Sequence, residues 1–258
     1  MKIVLQNFAM ILLMAVAAPL AASEFRGITL GLVSTSWNTQ LPPAVAERAG
    51  FFRDEGLEVR SVTVASGGPI MMALLTSGQA EMVIVGAVAM LRGIASGAPA
   101  MVVGGVVDKP DYTLVGAKGM KSLAAPLSSG ERVRVEKQGF PILLEIGKAL
   151  PDLPFTVVAA TRRFAASNPD KVAAVLRALS RAMRLIRENK DRGVELGRMH
   201  RLRGEPEVQR RALDYVAEDF DVRLKKENVA ALLNVLGLKG GPDEFFDESY
   251  LRRSEVTR

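Results

Sequence analysis

The chain has no cysteine, a single histidine and a single tryptophan among 258 residues, and only 5% of it is aromatic. Without cysteine there are no disulfides, no thiolate nucleophile and no thiol for a lipid anchor. Without clustered histidine or cysteine, the usual zinc sites lack their ligands. The one histidine, His200, is flanked by Arg198, Arg201 and Arg203, a setting that reads as an exposed side chain rather than a catalytic base. Neither a Walker phosphate loop nor G-x-G-x-x-G occurs, and no nucleophile is paired with a base by spacing. Catalysis, a cofactor and a bound metal are therefore not expected.

What is present points to a globular chain. Its 48% hydrophobic content and its length allow one large domain or two small ones. The formal net charge is +6, and the stretch Arg177 to Arg211, with eleven Lys/Arg against five Asp/Glu, carries an excess equal to all of it. The first residues read as a secretory signal peptide over 1–23. Lys2 gives a positive start, Phe8 to Ala22 is uncharged and apolar, and Ala21-Ala22-Ser23 offers small residues for cleavage. A membrane anchor would want about 20 strongly apolar residues, and Gln6, Asn7 and Pro19 interrupt the run. A free periplasmic protein follows, with no stable membrane insertion once the leader is cut.

The mature chain alternates strands and helices. Pro42 to Val64 reads as a complete unit: two prolines open a helix, Gly50 closes it, and Gly56 turns into a strand. Strands are predicted over Gly27–Val33, Leu57–Val64, Ala80–Val85 and Ala100–Val107, and a fifth over Tyr112–Ala117 after a polar turn at Asp108 to Asp111. Helices are predicted over Pro42–Ala49, Pro69–Thr76 and Val88–Ser96. That order argues for an α/β fold with a parallel sheet.

Ligands of such sheets sit at the carboxyl ends of the strands, where helix N-termini present free N–H groups. Three loops then share a rim: Ser34, Thr35, Ser36, Trp37 and Asn38 after the first strand, Ser66, Gly67 and Gly68 after the second, and Gly86 and Ala87 after the third. Hydroxyls and bare N–H groups suit a small oxyanion. For Ser66-Gly67-Gly68, a turn with a helix cap explains the residues equally well. For Trp37, core burial competes with stacking on a ligand.

A long helix is predicted from Asn168 and Pro169, with Val172, Val175, Leu176, Leu179, Met183 and Ile186 at helical spacing. Such a stripe must pack on something. Arg177, Arg181, Arg184 and Arg187 fall largely off it and read as a solvated face, with docking to an acidic importer surface as a minor role. No aromatic precedes Tyr215 in this basic stretch and no nucleic-acid motif occurs, so nucleic acid is not an expected partner.

The runs ITLGLVSTSW, PPAVAERAGFFRDEGLEV, ALLTSGQAEMVIVG and GIASGAPAMVVGGV, taken in order, resemble the N-terminal lobe of periplasmic solute-binding proteins of the nitrate, sulfonate and taurine type. The stretch Gly139 to Leu179 is similar to the part of that family where the chain leaves its second lobe. The resemblance implies a type 2 periplasmic-binding-protein-like fold, a monomer that carries a small anionic solute to an ABC importer permease, and ligand contacts at the rim residues above. It also implies a departure. In the family, a motif like Lys121-Ser122-Leu123 precedes at least two further βα units before something like Ala125-Pro126-Leu127, and here those landmarks nearly touch. A βαβ unit needs about 30 residues. An internal deletion in the second lobe is inferred, a compact second lobe of genuine design being the alternative. The expected organisation is a first α/β lobe over 24–118, a residual second lobe over 119–165, and C-terminal helices over 166–258. Enzymatic cousins that make the thiamine pyrimidine look similar over PPAVAERAGFF, but they rely on cysteine and histidine positions that this chain does not provide. A sensory or scaffolding protein that kept the fold without transport is the rival reading.

Overall fold

The computed structural model describes residues 27–33, 37–64, 67–117, 124–200 and 202–254; the expected leader over 1–23 lies outside them. The chain begins β1 (Ile28–Val33), α1 (Trp37–Arg48), α2 (Phe51–Asp54), β2 (Val59–Val64), α3 (Gly68–Thr76), β3 (Met82–Gly86), α4 (Ala87–Ala95) and β4 (Ala100–Val107). It continues through β5 (Thr113–Gly116), β6 (Ala124–Leu127), α5 (Ser129–Lys137), β7 (Ile142–Glu145) and α6 (Ile146–Ala149), then β8 (Thr156–Thr161). Helices α7 (Arg162–Ser167), α8 (Pro169–Glu188), α9 (Lys190–Met199), α10 (Pro206–Val216), α11 (Lys226–Leu236) and α12 (Ser249–Arg253) complete it.

Two sheets result, one of five strands in the order β2-β1-β3-β8-β4 and one of three in the order β6-β5-β7. β1 pairs in parallel with β2 and β3, as expected, but β8 is antiparallel to both β3 and β4. The wholly parallel expectation is corrected there, and the cause is local. The chain leaves β4 at its carboxyl end, makes the small sheet, and comes back at that same end, where Phe155 donates its N–H to Val107 O at 3.0 Å. A strand that starts from the carboxyl edge can only run backwards. By hydrogen bonding, Thr113–Gly116 is the centre of the small sheet and Thr156–Thr161 belongs to the large one, the reverse of the lobes assigned to them from sequence.

The opening of α1 also differs. It starts at Trp37, so Pro42 and Pro43 lie inside the helix and are buried there. Each proline removes a backbone bond to the preceding turn, and that turn is held instead from outside, by the Asn38 side chain donating to Asp111 Oδ2. Gly50 ends the helix at φ 80° as read, and Gly56 turns the chain at φ 70°.

The six stripe residues of α8 are each at most 1% exposed, and each such side chain contributes about 1.5–3 kcal/mol when fully buried. The arginines on its flank are not merely solvated. Arg177 reaches Glu55 at 2.7 Å and Arg181 reaches Asp54 at 2.7 Å, while Arg181 also lies 4.4 Å over the Phe51 ring. They tie α8 to the turn after α2. The C-terminal segments cover the exposed edge of β4: Gly105 N–H donates to Val222 O at 2.8 Å, Asp108 N–H to Asp219 O at 2.7 Å, and Val102 N–H to Phe245 O at 2.9 Å. An open edge would template pairing with another chain. Here it is closed by the molecule's own tail.

Candidate functional site

β1, β2 and β3 run the same way, with Val33 beside Val64 and Leu32 beside Ile84. Their following loops therefore rise from one edge of the sheet, as the rim reading requires. Ser34, Thr35, Ser36 and Ser66 lie outside the described residues. The others separate into two groups.

Gly68 and Gly86 share the wall of a cavity of 830 Å³. Met72, Val88, Ala89 and Arg92 add side chains from α3 and α4, Tyr112 and Phe155 come from the two segments that join the sheets, and Leu232 comes from α11. Tyr112 and Phe155 meet edge to face with centroids 5.1 Å apart. The lining is mainly apolar, with Arg92 its one charged residue and Ser96 and Tyr112 adding hydroxyls, and among the described residues none of the small sheet enters it. Gly68 has a packing reason as well, since a Cβ there would come within 2.3 Å of the Ala89 Cβ. Gly67 caps α3 from an extended conformation. Ala87 is buried, and its N–H is already given to Phe155 O at 2.9 Å.

Trp37 and Asn38 face elsewhere. Trp37 packs with Tyr215 on a small cluster of Val133, Val208 and Ala212, and its indole N–H has no hydrogen-bond partner among the described residues. Asn38 is 2% exposed and donates to Asp111. Of the described rim residues, Gly68 and Gly86 line an apolar cavity, and Asn38 meets a polar one only through Asp111.

The polar cavity, of 370 Å³, lies where the first joining segment meets α5, β7 and α10; Asp111, Ser129, Arg132, Glu145, Tyr215 and Asp219 are among the residues that line it. Asp111 Oδ2 accepts from the Ser129 N–H at 3.3 Å and the Ser129 hydroxyl at 3.0 Å, besides Asn38. Burial pushes the Asp111 carboxyl up to about 7, against the Ser129 hydrogen bonds, which favour the ionised form. From sequence this residue was only part of a polar turn. A legible signal did stand nearby: Ser128 and Glu131 form a capping box, with the Ser128 N–H donating to Glu131 Oε2 at 2.9 Å, and so start α5.

His200 is not exposed as expected. It caps the end of α9 with its side chain 17% accessible, Nδ1 lying 3.6 Å from Glu47 Oε1 without a hydrogen bond. Among the described residues no group of three His, Cys, Asp or Glu is placed to hold a metal, and no helix is long and apolar enough to cross a membrane.

Residues 38–125 match the family model described as NMT1/THI5 like. The structure is similar to a protein from Bordetella bronchiseptica RB50, with a TM-score of 0.72 and 19% identity over 89% of this chain and 97% of that one. It is also similar to the periplasmic aliphatic sulphonate binding protein SsuA of Escherichia coli, with a TM-score of 0.67 and 16% identity over 82% and 86% of the two chains. The periplasmic nitrate-binding protein NrtA of Synechocystis PCC 6803 matches with a TM-score of 0.67 and 13% identity over 90% and 89%. No curated protein matches the sequence. The fold is that of the periplasmic binding proteins, which fits the resemblance read from the residues.

Proposed function

We propose that this chain is a periplasmic solute-binding component of an ABC importer, for a small anionic solute of the nitrate, sulfonate or taurine class. The observation that carries the reading is the shared cavity of Gly68 and Gly86, fed by the loops after β2 and β3 and bearing one cation, Arg92. An apolar chamber with one convergent charge is the usual build of a small-molecule site. Its position at the carboxyl edge of the strands supports the same conclusion.

The second lobe is read as shortened by deletion, and the cavity bears on this directly. A two-lobed binding protein closes because its ligand touches both lobes. The three-stranded sheet contributes nothing to the lining, so closure gains no contact there. Isothermal calorimetry of the mature chain with nitrate, alkanesulfonates, taurine and pyrimidines is expected to show binding no tighter than about 1 mM, worth only about 4 kcal/mol. Micromolar binding of any of them would defeat the expectation of weak affinity. The transport role is tested separately, by affinity capture from a periplasmic extract of the native cell. An importer permease should be recovered; a kinase ectodomain in its place would favour sensing.

A further inference from the structure

The polar cavity is lined by three cations and three carboxylates, and one of those carboxylates, Asp111, has no ion pair among the described residues. Three cations line it, and each already has a partner: Lys109 pairs with Asp219 at 2.9 Å, Lys148 with Glu145 at 2.8 Å, and Arg132 with Glu136 at 2.7 Å and Glu145 at 3.2 Å. Arg132 is further fixed by lying 3.9 Å over the Tyr215 ring, while the Tyr215 hydroxyl donates to Glu136 at 2.6 Å. Lys109 is turned to Asp219, Lys148 to Glu145, and Arg132 to Glu145 and to Glu136 outside the lining. Asp111 is left over.

Asp111 is held by neutral donors only. Asn38 and Ser129 all donate to Oδ2, and Oδ1 accepts no hydrogen bond from the described residues. A partly buried carboxylate without an ion pair is costly. It is relieved either by a proton or by a cation brought from outside. The cavity beside it, 370 Å³ in volume, is within the range of small-molecule sites, about 300–1,000 Å³. Tyr112, 40% exposed, lines the same space and offers an aromatic ring, a surface that attracts a cation when its face is presented.

We propose that this cavity is a binding site for a small organic ammonium ion, with the Asp111 carboxylate as its counter-ion. The site shares Pro110 and Tyr112 with the apolar cavity, but it is built on Asp111 and does not depend on the anion reading. Its pH dependence follows from the groups around Asp111. Asp219 raises its carboxyl and Arg132 lowers it, while Arg132, Lys109 and Lys148 are held in ion pairs of their own; Glu145 and the Tyr215 phenol line the same space. Since burial places the carboxyl near 7, an incoming ammonium must displace a proton below that pH. Affinity should therefore fall by about tenfold from pH 8 to pH 6.

The test uses the mature chain and n-butylammonium chloride as probe, with 1-butanol and butyrate as uncharged and oppositely charged controls, followed by calorimetry at both pH values. Butylammonium is expected to bind, more tightly at pH 8, and Asp111→Asn is expected to abolish the binding. In the unchanged chain, saturating butylammonium should lower the Asp111 titration midpoint seen by carbon-13 NMR. The proposal is overturned if butylammonium fails to bind at either pH, if butanol binds as well, if binding survives in the variant, or if the midpoint stays in place. Nitrate and alkanesulfonate run in the same series bear only on the apolar cavity.

Discussion

Asp111→Asn should raise the melting temperature at pH 8 and raise it by less than half as much at pH 5. In the folded chain burial raises the carboxyl from 3.8 to about 7, so between those values the native state binds more protons than the unfolded one. Unfolding free energy then decreases as pH rises through this window, and the full penalty is present above about 7. Raising a carboxyl that far costs the ionised form at most about 4 kcal/mol. Asparagine removes the charge and keeps an oxygen to accept from Ser129 or Asn38. Scanning calorimetry at the two pH values checks it, and a variant less stable than the parent at pH 8 would show that the ionised form is net favourable. A residue that costs stability where it stands is held there for another reason, and counter-ion duty is one.

Phe220→Ala is expected to cost about 3–5 kcal/mol, the range for emptying a large buried aromatic. Phe220 is fully buried and bridges Val107 of β4 in antiparallel fashion, between the Asp219 carbonyl that takes the Asp108 N–H and the Val222 carbonyl that takes the Gly105 N–H. Its ring is the anchor that keeps the tail on the sheet edge. For a chain of this size the melting temperature should fall by roughly 10 °C. Phe220→Leu should recover most of it. A loss below about 1 kcal/mol would mean that the site collapses without a cavity, or that the edge holds without its anchor.

The large sheet was legible up to β4 because its short β-rich runs alternate with helices that each end beside a glycine, Gly50, Gly78 and Gly97, and boundaries of that kind can be read locally. The wrong start of α1 has a definite cause. Pro42 and Pro43 are strong opening signals by local rules, and only a contact 73 residues away, Asn38 to Asp111, holds the earlier turn. β8 shows the same limit from the other side. TVVAAT is a good strand sequence, but its direction and its neighbours are set by where the chain re-enters the sheet, which no local pattern encodes. Arg177 and Arg181 looked like a solvent face because their partners, Glu55 and Asp54, are more than a hundred residues distant. Of the candidate site, Gly68 and Gly86 were readable from strand ends. Asp111 was not, because a turn aspartate becomes unusual only when folding buries it.

The placement of β8 between β3 and β4 has a consequence for the order in which the molecule can assemble. β3 and β4 have no hydrogen bonds to one another; each is completed only by residues 156–161. The middle of the principal sheet is thus a gap until the chain has travelled through the whole minor sheet and back. Pairings of such long sequence separation pay their loop-closure entropy early and are slow to form. The β2-β1-β3 half can nucleate by itself, while β4 waits with both edges bare, one for β8 and the other for the tail around Phe220. Residues 27–150 alone would leave three strand edges unpaired, one of β3 and both of β4, instead of a finished lobe, and the late arrival of Thr156–Thr161 is the step that turns a collection of βα units into one sheet.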